Sequence, residues 1–198
     1  MKKIFCMSVL FFSITLLAAE PVQVLLKLDD NFKSELKCGW KSETKQKFWV
    51  GILEDARSEK EVGTLITKKE DIAVNASKPI NEAIQEAFQN GLKGCGYLLV
   101  SNKEEADFWL TGRVDEFSGT SKKGFFRGKA EGRAEVTLDL VRTANKGEYS
   151  LSLSVGEFQK KGVSKKPKKV EEMLNRLLTR LTLDVLESQN IANWMKNN

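Results

Sequence analysis

Apolar and polar residues alternate along three consecutive stretches in the second half of the chain. Ala106, Phe108, Leu110 and Val114 answer Asp107, Trp109, Arg113 and Asp115. Ala134, Val136, Leu138 and Leu140 answer Arg133, Glu135, Thr137 and Asp139, and Leu151, Leu153 and Val155 answer Ser150, Ser152 and Ser154. A period of two sends successive side chains to opposite faces. Residues 106–114, 130–141 and 149–155 are therefore predicted as antiparallel strands with one buried and one wet face. The earlier apolar run at residues 48–57, FWVGILEDAR, is predicted as the first core strand. Two stretches carry the helical period instead. Ile80, Ala83, Ile84, Ala87 and Phe88 make one apolar stripe, with Ser77 as N-cap, Pro79 in the first turn, and Gly91, Gly94 and Gly96 closing the helix. Val170, Leu174, Leu177, Leu178, Leu181 and Val185 mark a second helix ending near Leu186, and Ile191 and Trp194 belong to a last turn or short further helix.

Weaker signals fill the gaps. Residues 21–28, PVQVLLKL, suit a short strand broken by Asp29, Asp30 and Asn31, and residues 33–47 read as irregular. A polar loop follows at residues 55–60, one or two short strands at 65–74, and a strand at 97–100 after the first helix. Residues 143–147, TANKG, are a turn between strands. Residues 118–128, with three glycines beside Lys122, Lys123 and Arg127, read as a mobile loop whose glycines match no phosphate-binding spacing. The expected fold class is α+β: a two-layer domain, mostly antiparallel sheet, with two helices packed on one face. At 41% hydrophobic and 30% charged, the composition suits one globular domain.

The first residues stand apart. Lys2 and Lys3 precede an apolar run at residues 4–17, and the small residues Ala18 and Ala19 precede Glu20. This is the pattern of a secretory signal cleaved between Ala19 and Glu20, and the run is short for a membrane span. The chain then divides into a signal at 1–19, an N-terminal strand and irregular segment at 20–47, and one domain at 48–198. Cleavage removes two lysines, so the formal charge falls from +5 to +3. Cys6 leaves with the signal. Cys38 and Cys95 remain as a pair in a chain bound for an oxidising compartment, either as a disulfide or as two small buried thiols.

The chain has no histidine. That removes imidazole as base or ligand, and with it most nucleophile pairs and catalytic zinc sites. Glu54 and Asp55 are strand neighbours that point to opposite faces, which suits a structural role beside Arg57 better than a shared substrate. Two surface features point to binding. Lys160, Lys161, Lys165, Lys166, Lys168 and Lys169 crowd the link before the last long helix. They form either a solvated loop or a site for anionic lipid headgroups or cell-wall polymer. Trp109 falls on the polar sheet face, either as a partner anchor or beneath the loop at 118–128. The lysine run has no interleaved aromatics, so nucleic acid is not an expected partner.

In their order, LEDARSEKEVG, QNGLKGCGYLLV, EEADFWLTGRV, AEVTLDLVR and RLTLDVLESQNIANWMKNN resemble the YajG-type family of bacterial envelope lipoproteins, over roughly residues 48–198. The resemblance implies a compact sheet carrying two helices, facing the periplasm from the outer membrane, with no established reaction and no cofactor. The family carries a lipidated cysteine at the signal's end, where this chain has Ala19 and Glu20. The expected function is a non-enzymatic periplasmic or envelope-associated binding or assembly module, its partner an envelope protein, an anionic lipid or a cell-wall polymer. Two alternatives stay open: a carboxylate-dependent hydrolase of cell-wall or surface glycans, and a secreted adhesion or host-interaction factor.

Overall fold

The structure is a computed structural model of the chain, and it describes residues 19–40, 45–122, 129–159 and 167–197. Its centre is a meander of three long antiparallel strands, β7 (Phe108–Lys122), β8 (Lys129–Arg142) and β9 (Gly147–Gln159). The alternation in the sequence sets their faces: Phe108, Leu110, Val114, Val136, Leu138 and Leu140 are all buried on one side. The other edge of β7 is tiled in parallel by three short strands, β2 (Lys47–Val50), β3 (Glu54–Asp55) and β4 (Gly63–Ile66). Beyond them lie β6 (Leu98–Leu99) beside β2, then β5 (Asp71–Ala76) beside β4 and β1 (Val22–Val24) beside β5. The fold is α+β, with the long ladders antiparallel and the short flanking ones parallel except β4 with β5, which is antiparallel.

The expected strand at residues 48–57 is two strands with a break between them. Across the break, the carbonyls of Val50 and Leu53 accept from Gln85 Nε2 at 2.8 Å and Asn81 Nδ2 at 3.0 Å. Side chains of the first long helix thus replace ladder partners there. Residues 118–122 also differ from expectation, being the end of β7 rather than a loop. A bulge at Asp115 inserts one residue opposite β8 and reverses the phase, so that Phe117, Gly119 and Ser121 turn inward. Gly119 is there for clearance: a Cβ on it would stand 2.4 Å from Met173 Cε. The remainder of the expected loop, residues 123–128, lies outside the described residues.

Helices α2 (Ile80–Gly94), α3 (Pro167–Leu186) and α4 (Gln189–Asn197) cover the apolar face. The six stripe residues of α3 are at most 1% exposed, each contributing roughly 1.5–3 kcal/mol if fully buried. Ser77 does not cap α2; its N–H donates to Val24 O, and Pro79 holds the cap position. Gly91 lies inside α2 rather than past its end. A Cβ there would meet Leu186 Cδ1 at 2.3 Å and Thr182 Cγ2 at 3.2 Å, so this glycine sets how closely α2 and α3 approach. Cys95 caps the helix, and Gly96 takes φ +90°.

Of residues 21–28, expected as a short strand, only Val22–Val24 pair as one; the rest, continuing into the segment from residue 33 that was expected to be irregular, is a strap over α3. From Val24 on it runs extended, with Val24 and Leu26 buried. The N–H groups of Leu25, Lys27 and Asp29 donate to Glu171 Oε2, Asn175 Oδ1 and Thr179 Oγ1 at 3.4, 2.9 and 2.7 Å. Two strand residues advance about 6.6 Å and four helix residues about 6 Å, so alternate strap amides meet successive helix turns. A short helix α1 (Phe32–Glu35) turns the strap round the end of α3, where Gly39 N donates to Leu186 O at 2.9 Å and Trp40 Nε1 to Val185 O at 3.2 Å. Trp40 joins Phe48, Tyr97 and Phe108 in an aromatic cluster with centroids 5.1 to 5.8 Å apart. Burial pushes the Tyr97 phenol up to about 12, and its hydroxyl donates to Trp40 O at 2.8 Å. Cys38 and Cys95 are joined, with Cα atoms 5.6 Å apart, which fastens the strap to the end of α2.

Two measurements check this arrangement. Replacing both Cys38 and Cys95 with serine opens a loop spanning 57 positions, and the expected loss is about 2–4 kcal/mol in denaturant unfolding. Asn175→Ala leaves the Lys27 amide without its acceptor, for a loss of about 1–2 kcal/mol, and should raise hydrogen exchange at residues 25–29 ahead of the strands.

Candidate functional site

The sheet face away from the helices is mostly a lattice of polar pairs. Thr137 Oγ1 donates to Asp115 Oδ2 at 3.0 Å and lies 3.3 Å from Ser152 Oγ, and the Ser150 hydroxyl donates to Asp139. Arg113 pairs with Asp115 at 2.7 Å, and Arg133 with Glu116 at 3.2 Å and Glu135 at 3.4 Å. At the β2 end the character changes. Trp49 and Trp109 sit directly opposite each other on β2 and β7, with Val141 opposite Trp109 on β8 and Leu98 one strand beyond β2.

Local geometry fixes both indoles. A Cβ on Gly51 would be 2.7 Å from Trp49 Cη2, so the glycine makes room for the far end of that ring. Trp109 Nε1 donates to Lys103 O at 2.9 Å. Lys103 opens a 3-10 turn (Lys103–Glu105) capped by Asn102, whose Oδ1 accepts from Glu104 N at 3.2 Å. Its ammonium stands 3.8 Å from the Trp109 ring centroid and 5.4 Å from that of Trp49, within cation–π range of both. The result is a half-buried apolar island with one cation over it. Alternation singled out Trp109, and the structure sets it beside Lys103 rather than beneath residues 118–122, which lie at the far end of β7. Trp49 and Lys103 were missed. Trp49 alternates between buried Phe48 and Val50, the same signal that marked Trp109.

The other candidates separate. Lys168 is exposed, whereas Lys169 pairs with Glu172 at 2.5 Å; Lys160, Lys161, Lys165 and Lys166 lie outside the described residues. Ala19 is half-buried and Glu20 exposed, and residues 1–18 are outside the described part. Asp55 is held by a bidentate Arg57, at 2.8 Å from Nε and 3.0 Å from Nη2, and Lys60 is 3.6 Å away. Arg57 also donates to the carbonyls of Glu61 and Phe117, tying the β3–β4 connection to the strand just past the bulge. Its hydrogen bonds and charge hold the Asp55 carboxyl below the usual carboxylate range.

A cleft of about 350 Å³ opens beside this clamp, lined by Arg57, Ser58, Glu59, Glu61, Asp115 and Glu116. Asp115 and Glu116 each hold an arginine. A larger concavity, about 800 Å³, lies between the strap and α2, with Leu28, Phe32, Leu36 and Lys93 in its walls. Among the described residues, no group of three or more Asp, Glu or Cys is placed to hold a metal.

The model of the uncharacterized lipoprotein family matches residues 50–196, most of the chain. The chain belongs to this family. It is the YajG family, as the sequence motifs indicated, and its members are secreted proteins of the cell envelope. No curated protein matches the chain. Among solved structures, an uncharacterized protein at 12% identity covers 89% of this chain and 99% of its own, with a TM-score of 0.50. A minor lipoprotein from Acinetobacter baumannii at 11% identity covers 75% of this chain and 96% of its own, TM-score 0.39. Lipoprotein GNA1162 from Neisseria meningitidis at 10% identity covers 69% and 97%, TM-score 0.33. At 12% identity, the first of these speaks to fold alone. No described helix of this family member is long and apolar enough to cross a membrane.

The clamp yields a pH test. Because the folded-state carboxyl of Asp55 titrates below its unfolded value, its stabilisation is complete above the ordinary aspartate value of 3.8 and is lost as pH falls through the lower folded value. Arg57→Ala should lower stability at neutral pH by about 2–3 kcal/mol. Its deficit relative to the parent chain should shrink on titration below that value; an equal deficit at all pH values assigns the loss to packing instead.

Proposed function

We propose that this lipoprotein-family member is a non-enzymatic binding or assembly module of the cell envelope, and that it meets an envelope protein with the sheet face around Trp109. The observation that carries the reading is the register of Trp49 against Trp109 under the Lys103 ammonium. Two adjoining indoles on an otherwise ion-paired face supply the large, rigid contact area that dominates binding energy where interfaces have hot spots. A partner can cover rings that already share a cation and a fixed backbone hydrogen bond without ordering them first, and preorganisation of this kind raises affinity. Lys103 would then favour an acidic or carbonyl-rich patch opposite it. Asp115 and Glu116, which line the 350 Å³ cleft, are each engaged by an arginine, and such a pair gives no support to a hydrolase built on two carboxylates.

The test is in-cell crosslinking with a photoreactive residue at Thr111, next to the island on β7. One recurrent envelope protein is the expected product. Trp109→Ala should weaken its capture about thirtyfold, the scale of a hot-spot residue losing roughly 2 kcal/mol, with unfolding midpoint preserved. Recovery of bulk neighbours only, or capture unaffected by Trp109→Ala, would remove the basis for this reading.

A further inference from the structure

Among the described residues the sheet ends on one side in a long strand paired along one edge only. Among the described residues β9 pairs only with β8, and β6 and β1 at the other margins are two and three residues long. A lone edge strand presents alternate N–H and C=O groups outward, and proteins blunt such edges with lysine, proline, inward charges or a bulge. From Tyr149 to Gly156, YSLSLSVG, β9 has none of these, and its pairing with β8 runs without a register shift. Its core-side residues are also incompletely covered. Leu138 and Leu140 on β8 are 0% exposed, whereas Leu151 and Leu153 one strand outward are only partly buried.

We propose that β9 pairs antiparallel with β9 of a second copy about a two-fold axis near Ser152 and Leu153, joining two sheets edge to edge. The strand is complementary to itself. A two-fold axis perpendicular to the sheet keeps each face with its own kind, setting Leu151, Leu153 and Val155 against the same row and Ser150, Ser152 and Ser154 against serines and glycine. The charges fit as well. Glu148 and Glu157 lie at opposite ends of the strand, so in a pairing centred on Ser152 each faces a glycine, Gly156 or Gly147. Centred on Leu153, they face Phe158 and Tyr149 instead. In neither case does a carboxylate oppose a carboxylate. A strand bearing charge through its middle would find no counter-charge on this edge, which favours a second copy over a charged partner. The inference does not rest on the proposed role of Trp109, which lies two strands away.

Sedimentation velocity of the purified chain between about 1 and 100 µM is expected to show a species of twice the chain mass. Ser152→Lys sets two ammonium groups across the axis at an exposed position and should weaken association about tenfold or more, with circular dichroism unchanged. A chain carrying Ser152→Cys and Ser154→Cys should form a covalent dimer on mild oxidation in either register, and this second measurement decides the matter if Ser152→Lys fails to fold. A parent chain that stays monomeric throughout the range overturns the proposal. So does a dimer that survives Ser152→Lys while the cysteine variant forms no cross-link.

Discussion

Helix α3 has to be enclosed around most of its girth, with Lys168 and Arg180 left exposed, and the rest of the molecule is arranged to do it. Its leucine stripe lies on the sheet, and α2 closes in where Gly91 leaves room for Thr182 and Leu186. The side left over carries Glu171, Asn175 and Thr179, residues that would ordinarily face water. Here they accept the amides of the strap. Buried Asn175 and Thr179 are thus matched to a backbone whose own hydrogen bonds are unmet by any neighbouring strand. Thr182, also buried, returns its hydroxyl to Leu178 O at 2.8 Å, and no described buried side-chain polar atom is left without a partner.

Crowding three helices and a strap onto one side of the sheet has a counterpart on the other. That face is not needed for the core, and its side chains are free to pair among themselves or with something else. Most of them pair among themselves, through arginine–carboxylate bridges and hydroxyl contacts worth little each in solvent. The two indoles are the exception. They stand where β2 flanks β7, with the Lys103 ammonium within cation–π range of both.

Much of this was legible. Where the period of two ran unbroken, as from Ala130 to Val141, the strand, its faces and its antiparallel partners followed directly. The stripes of α2 and α3 were equally plain, and so was Trp109 on the outer face. Reading failed where a tertiary contact replaced a local rule. One inserted residue at Asp115 reversed the alternation, and three glycines then resembled a loop although Gly119 was serving helix packing. The strap was unreadable because its partners are side chains 146 to 150 positions away, polar ones that leave no hydrophobic period. At the candidate site, Trp49 was concealed by treating residues 48–57 as one buried strand, and Lys103 belongs to a turn with no pattern of its own.

The strap also fixes an order of events. The helix it grips follows it by 146 to 150 positions, so the amides of Leu25, Lys27 and Asp29 have no acceptors until α3 has been made. Contacts of such long separation form late because the intervening loop must first close. The grip on α3 is therefore expected to close after the meander, whose strands are neighbours in sequence, while Val22–Val24 can pair with β5 across a much shorter loop.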